Sequence, residues 1–172
     1  MPKELNLAIV GLGLVGKRHA DAILQSGDAN LCAVVEPTLG ESVNVNSNLV
    51  PCYADLESMM KTENPDGVIL STPTPLHLEQ GLACIINKIP VLIEKPLAVT
   101  AHESAQIVAA ANANAVPVLV GHHRRYNPLI QQARSIIDEG KLGTIRTVHA
   151  NCWFYKPDDY FEIAPWRKLK GA

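Results

Sequence analysis

Apolar, β-rich runs recur along the chain at Leu5–Val10, Leu31–Glu36, Gly67–Ser71, Val91–Glu94 and Val118–Gly121. Each is nearly continuous in Val, Ile and Leu, as expected of strands covered on both faces. Stretches with helical periodicity lie between most of them, which is the βαβ pattern of a parallel, doubly wound α/β sheet. Several helix starts are legible locally. Thr74 before Pro75 reads as an N-cap with a proline at the first helical position, which puts His77 three residues into the helix. Thr100 with Glu103 reads as a capping box before an alanine-rich helix running to about Ala115. Asp55 is expected to cap a short helix that carries Leu56, Met59 and Met60 inward. The segment from Thr38 to Asn48 is polar and rich in Asn and Ser, and no long helix is expected there.

The pattern changes after Gly121. Asn127-Pro128 forms a second cap-and-proline pair, and Leu129, Ile130, Ala133, Ile136 and Ile137 then mark one face of a helix that Gly140 ends. From Thr144 to Tyr155 the period becomes two, with Val148, Ala150, Cys152 and Phe154 on one face and Thr147, His149, Asn151 and Trp153 on the other. That predicts a strand of an open antiparallel sheet. Lys156 to Ala172 shows no period and is expected to be a loop. Of the eight aromatic residues only Tyr53 precedes residue 125, so composition also marks a domain boundary near Gly121–Tyr126.

Bulk composition narrows the function. With 47% hydrophobic and 19% charged residues in 172, the chain is globular, with room for one good core and the start of a second domain. A net charge of −2 argues against nucleic acid or an anionic membrane as partner. No apolar run approaches membrane-spanning length, and Met1–Asn6 has no signal-peptide core. The four cysteines are scattered. Cys32, Cys84 and Cys152 lie among apolar or β-branched neighbours, so buried free thiols in a reducing cytoplasm are expected.

The candidate chemistry clusters at the ends of the apolar runs. Gly11, Gly13 and Gly16 form a G-x-G-x-x-G motif between the first run and a helix, with Leu14 and Val15 inside it. The first glycine permits a tight turn, the second a close pyrophosphate approach, and the third close packing of helix on strand. Glu36 follows about 20 residues on, where a carboxylate accepts hydrogen bonds from ribose hydroxyls and repels a 2′-phosphate. No Lys or Arg occurs between Arg18 and Lys61 to hold that phosphate, so NAD is expected over NADP. Ser71-Thr72-Pro73 and His77 are placed to line the nicotinamide half of such a cofactor, although a proline-stiffened helix entry explains the same residues, and His77 alone reads as structural. Glu94-Lys95-Pro96 closes the fourth apolar run, Val91–Glu94. Lysine before proline is held extended, and lysine serves as a general acid or base where burial and neighbours lower its pKa, but from the tripeptide alone an ordinary surface lysine closing a strand is the better reading. His122 and His123 suggest no metal, because neighbours on a strand face opposite ways and a third ligand is missing. Arg125 and Tyr126 are better candidates for holding substrate oxygens.

Together, the glycine motif, Glu36, Thr72-Pro73-Thr74-Pro75-Leu76-His77, Glu94-Lys95-Pro96 and Gly121 through Pro128 resemble the Gfo/Idh/MocA oxidoreductases, in order and over essentially the whole chain to Trp166-Arg167. The resemblance implies a Rossmann domain over residues 1–122, and over 123–172 the start of a C-terminal substrate and oligomerisation domain built on an open antiparallel sheet. It implies NAD-dependent hydride transfer to or from a sugar, cyclitol or related alcohol, with Glu94 and Lys95 at the cofactor and Lys95 relaying the hydroxyl proton. Family members are about twice as long, and a His and Asp segment of their active sites falls beyond Ala172. The chain is therefore expected to be a fragment with little turnover alone, and either to self-associate through its C-terminal strand and aromatics or to have a mobile C-terminal segment. A non-catalytic dinucleotide-binding regulatory module is the alternative.

Overall fold

Leu5–Val10 (β1), at the head of the first apolar run, leads into helix Leu14–Ser26 (α1) and strand Ala29–Val35 (β2). The structure, a computed structural model, describes residues 4–162 and 165–168. A hairpin of Ser42–Val45 (β3) and Asn48–Tyr53 (β4) comes next, followed by helix Leu56–Glu63 (α2) and strand Gly67–Leu70 (β5). Helix His77–Ile86 (α3), strand Val91–Ile93 (β6), helix Ala101–Asn114 (α4) and strand Val118–Val120 (β7) complete the repeating part. The seven strands lie side by side in the order β3-β4-β2-β1-β5-β6-β7. All neighbours are parallel except β3 and β4. This is the Rossmann-like arrangement that the runs predicted.

The near-continuous apolar runs follow from double coverage. Alternate residues of β1 go to opposite faces: Ala8 and Val10 join a core with Met59 of α2, Cys84 and Ile85 of α3 and Ile107 of α4. Ile9 joins the other, with Ala20 and Ile23 of α1 and Val50 and Cys52 of β4. The caps form as the sequence indicates. Asp55 accepts from the Ser58 amide at 2.8 Å, and Thr100 and Glu103 make both bonds of a capping box.

Some expectations are corrected. Thr74 is not a helix cap. It is the buried first residue of a 3-10 turn, Thr74–Leu76, entered from extended Pro73, and His77 opens α3 instead of lying inside it. The polar segment after β2 forms the β3–β4 hairpin, its turn made by Asn46 and Ser47, both at positive φ. Two adjacent positive-φ residues match the twist of the flanking strands.

The chain divides into two compact units, one ending at Gly121 and one starting at His122. The second contains a 3-10 turn His123–Tyr126, helix Pro128–Asp138 (α5), one turn of helix Asp159–Glu162 (α6) and a 3-10 turn Pro165–Lys168. Asn127 caps α5 by accepting from the Leu129 amide at 2.9 Å. Residues 144–155 form no strand. No strand among the described residues lies alongside to share a ladder, and an alternating segment without a neighbour cannot close its backbone hydrogen bonds. Cys152, expected on its buried face, is exposed, whereas Cys52 is buried along with Cys84. The two short turns of helix also replace part of the loop expected from Lys156; Ile163, Ala164 and 169–172 of that loop lie outside the described residues.

Candidate active site

Parallel strands present the same end to one edge of a sheet, and here the C-terminal ends of β1, β2, β5 and β6 deliver Gly11, Glu36, Ser71 with Thr72, and Glu94 with Lys95. Gly11 has φ +88°, and a Cβ on it would lie 3.0 Å from the Ser71 carbonyl oxygen. A Cβ on Gly16 would overlap the Gly11 carbonyl, so only glycine lets α1 start this close to β1. Around Gly13, the N-cap of α1, the space a side chain would fill is open, and no side chain caps the helix. A helix start with its amides uncapped and its approach clear suits a pyrophosphate. Leu14 and Val15, the next two residues, are exposed.

Glu36 reaches back across the loop. One carboxylate oxygen accepts from the Leu12 amide at 3.1 Å and the other from the Thr38 hydroxyl at 3.0 Å. With its two amide and hydroxyl partners fixed, the carboxylate keeps lone pairs for two ribose hydroxyls. A cleft of about 1150 Å³ opens here, walled by Gly11, Glu36, Pro37, Thr72, Pro73 and Leu76 among others. Lys95, which is exposed, and Glu94 are not among its walls.

The Ser71 hydroxyl donates to the Val10 and Gly11 carbonyls at 3.1 and 2.7 Å, stitching β5 to the glycine loop. Thr72 donates to the Gln80 side chain at 2.6 Å. His77 is 1% exposed. Its Nε2 is 2.9 Å from the Thr72 carbonyl and its Nδ1 2.9 Å from the Pro96 carbonyl. Both nitrogens face backbone acceptors, so His77 ties the Thr72 loop to the Glu-Lys-Pro segment and has no nitrogen left for a ligand. The Lys95–Pro96 peptide is cis. Sequence reasoning missed His19 of α1, whose Nε2 is 2.9 Å from Glu94 Oε1. Its spacing, one turn beyond Gly16, was the available signal.

In the second unit, Arg125 and Tyr126 lie on the 3-10 turn, both exposed. Arg124, which the sequence did not single out, lies 5.1 Å over the Phe154 ring and donates to Cys152 Sγ at 3.6 Å. No group of three or more His, Cys, Asp or Glu placed to hold a metal occurs among the described residues.

A family model for an oxidoreductase family with an NAD-binding Rossmann fold, GFO_IDH_MocA, matches residues 5–122. The chain belongs to the Gfo/Idh/MocA oxidoreductase family. It is 34% identical over 152 residues to inositol 2-dehydrogenase of Rhodococcus erythropolis, a match covering 86% of the chain and 44% of that protein. It is 30% identical over 154 residues to the rhizopine catabolism protein MocA of Rhizobium meliloti, covering 90% and 49%. Among solved structures it resembles the WlbA dehydrogenase from Bordetella pertussis, determined with NADH and UDP-GlcNAcA, with a TM-score of 0.85, 26% identity and coverage of 96% and 51%. The chain thus spans about half the length of the Gfo/Idh/MocA relatives it matches.

Proposed function

We propose that this chain is the cofactor-binding part of an NAD-dependent dehydrogenase acting on a sugar, cyclitol or related polyol. The observation that carries the reading is one sheet edge holding an uncapped glycine-loop helix, Glu36 and Lys95 together. The amides of Gly13, Leu14, Val15 and Gly16 would hold the pyrophosphate and Glu36 the ribose hydroxyls, with Ser71, Thr72 and Pro73 shaping the loop beside them. A bound nicotinamide supplies hydride acceptance or donation. Lys95 takes the proton from the reacting hydroxyl in one direction and returns it in the other, and Arg125 and Tyr126 are assigned to substrate oxygens. The family and the NADH-bound relative support the cofactor class; the preference for NAD over NADP rests on Glu36 and on the absence of a cation between Arg18 and Lys61. The residues from 123 onward are assigned to the substrate domain, the protein to a homo-oligomer, and its location to the cytoplasm, the last because all four thiols are free.

Thermal melts of the chain with NADH and with NADPH test this. NADH at about 100 times its Kd should stabilise the chain by about 2.7 kcal/mol, and NADPH at the same concentration by much less. No shift with either cofactor overturns the reading, and an equal or larger NADPH shift overturns the NAD preference. Turnover of sugars or cyclitols by these 172 residues alone is expected to be negligible.

A further inference from the structure

Lys95 is exposed, yet the residues on either side of it are tied down. Glu94, whose side chain is 13% exposed, has one carboxylate oxygen 2.9 Å from His19 Nε2. Its other oxygen accepts from the Lys95 amide at 3.1 Å. The carboxylate rests against Gly121, where a Cβ would lie 2.6 Å from Oε1 and 3.0 Å from Oε2. Gly121 is itself fixed, since its amide donates to the Ile93 carbonyl at 2.8 Å. The carboxylate therefore occupies space that any larger residue at the end of β7 would take. On the far side, the Pro96 carbonyl lies 2.9 Å from Nδ1 of the buried His77 ring.

We propose that His19 is a positioning residue for Lys95: it holds the Glu94 carboxylate over Gly121, and that carboxylate holds the Lys95 amide. The inference rests on the assignment of Lys95 as the proton-relaying group. It adds a physical link, because His19 sits on α1, the helix whose N-terminus is assigned to the pyrophosphate. One rigid element then fixes both the cofactor's phosphates and the backbone from which the lysine extends. A histidine that merely packed α1 on the sheet would need neither a carboxylate that turns back on the next amide nor a bare glycine under it.

The two descriptions separate experimentally in the 172-residue chain. Hydrogen exchange of the Lys95 amide, followed by NMR without cofactor, should speed up about fivefold in His19→Ala, the worth of one hydrogen bond of about 1 kcal/mol. Gly121→Ala, which displaces the carboxylate without touching α1, should do the same. His19→Gln, whose amide nitrogen replaces Nε2, should restore wild-type exchange, and amides of β1 and β5 should be unchanged in all three. NADH should bind His19→Ala within about threefold of wild type while shielding Lys95 from acetylation less well, because the glycine loop and Glu36 are intact. Unchanged Lys95 exchange in His19→Ala, or a glutamine variant that behaves like alanine, overturns the proposal. Failure of wild type to bind NADH overturns the dehydrogenase reading instead, and is distinct because the exchange measurement contains no cofactor.

Discussion

Burial pushes the Cys84 thiol up to about 12 and, with help from the Glu63 charge, Cys32 up to about 11. Cys52 is also raised by burial. A thiol reacts as its thiolate, so these three should be inert near neutral pH. Cys152 is exposed. Ellman's reagent at pH 8 should therefore show one fast thiol per folded chain, and Cys152→Ser should abolish it; a second fast thiol would contradict the placement of Cys32, Cys52 or Cys84. His77 makes a different kind of prediction. Truncating it to alanine removes the imidazole lodged between the Thr72 and Pro96 carbonyls, with its N–H donor, and opens a cavity, which should cost about 3 kcal/mol in urea unfolding. A loss under about 1 kcal/mol would mean that neither contact matters. At this scale the sequence was legible where a residue's role is set by its own conformation, as at Gly11 with its positive φ, or by a close approach a few residues away, as at Gly16 against the Gly11 carbonyl. It was not legible at His19 and Glu94, 75 positions apart, because only the fold brings α1 over the end of β6.

Elements were legible to the degree that their determinants are local. The caps at Asp55, Thr100 and Asn127 each act within three residues, and each forms as read. Thr100→Ala should accordingly destabilise the chain by about 1 kcal/mol, checked by urea unfolding against Gln106→Ala as an exposed control on the same helix. Residues 144–155 show the converse: alternation defines two faces but not a partner, and pairing is a long-range property. The hairpin escaped for another reason, since Asn46 and Ser47 reach positive φ without the glycine that usually announces such a turn. A further bond ties the hairpin's second strand to α2. The Tyr53 hydroxyl donates to Glu63 at 2.5 Å, and that hydrogen bond, then burial, holds the phenol above its usual value of 10. Because the folded value is the raised one, the stabilisation is full below pH 10 and fades as pH rises through the folded value. Tyr53→Phe should be less stable than wild type at pH 8, with the difference closing in strong alkali. A difference that grows with pH would reverse the assignment.

At the scale of the molecule, the two units differ in what they bury. The first has a seven-stranded sheet with a closed core on each face. Its site residues, from Gly11 to Lys95, all belong to it. In the second, α5 has no fully buried residue and leaves Leu129, Ile130 and Ile137 exposed, while Trp153 and Tyr155 are 90% and 89% exposed. Apolar groups in such number on a surface mark an interaction face, each Leu or Ile it buries being worth about 2 kcal/mol. The first unit should fold and bind NADH when the chain is cut after Gly121, since its cores and its candidate cofactor contacts are internal. Sedimentation velocity should then find the shortened chain monomeric and the 172-residue chain concentration-dependent in its association. Replacing Leu129, Ile130 and Trp153 together by serine should return the longer chain to monomer with its NADH-dependent melting shift intact. If the shortened chain associates as strongly, the apolar surface of the second unit is not the cause, and the exposed β3 edge becomes the place to look.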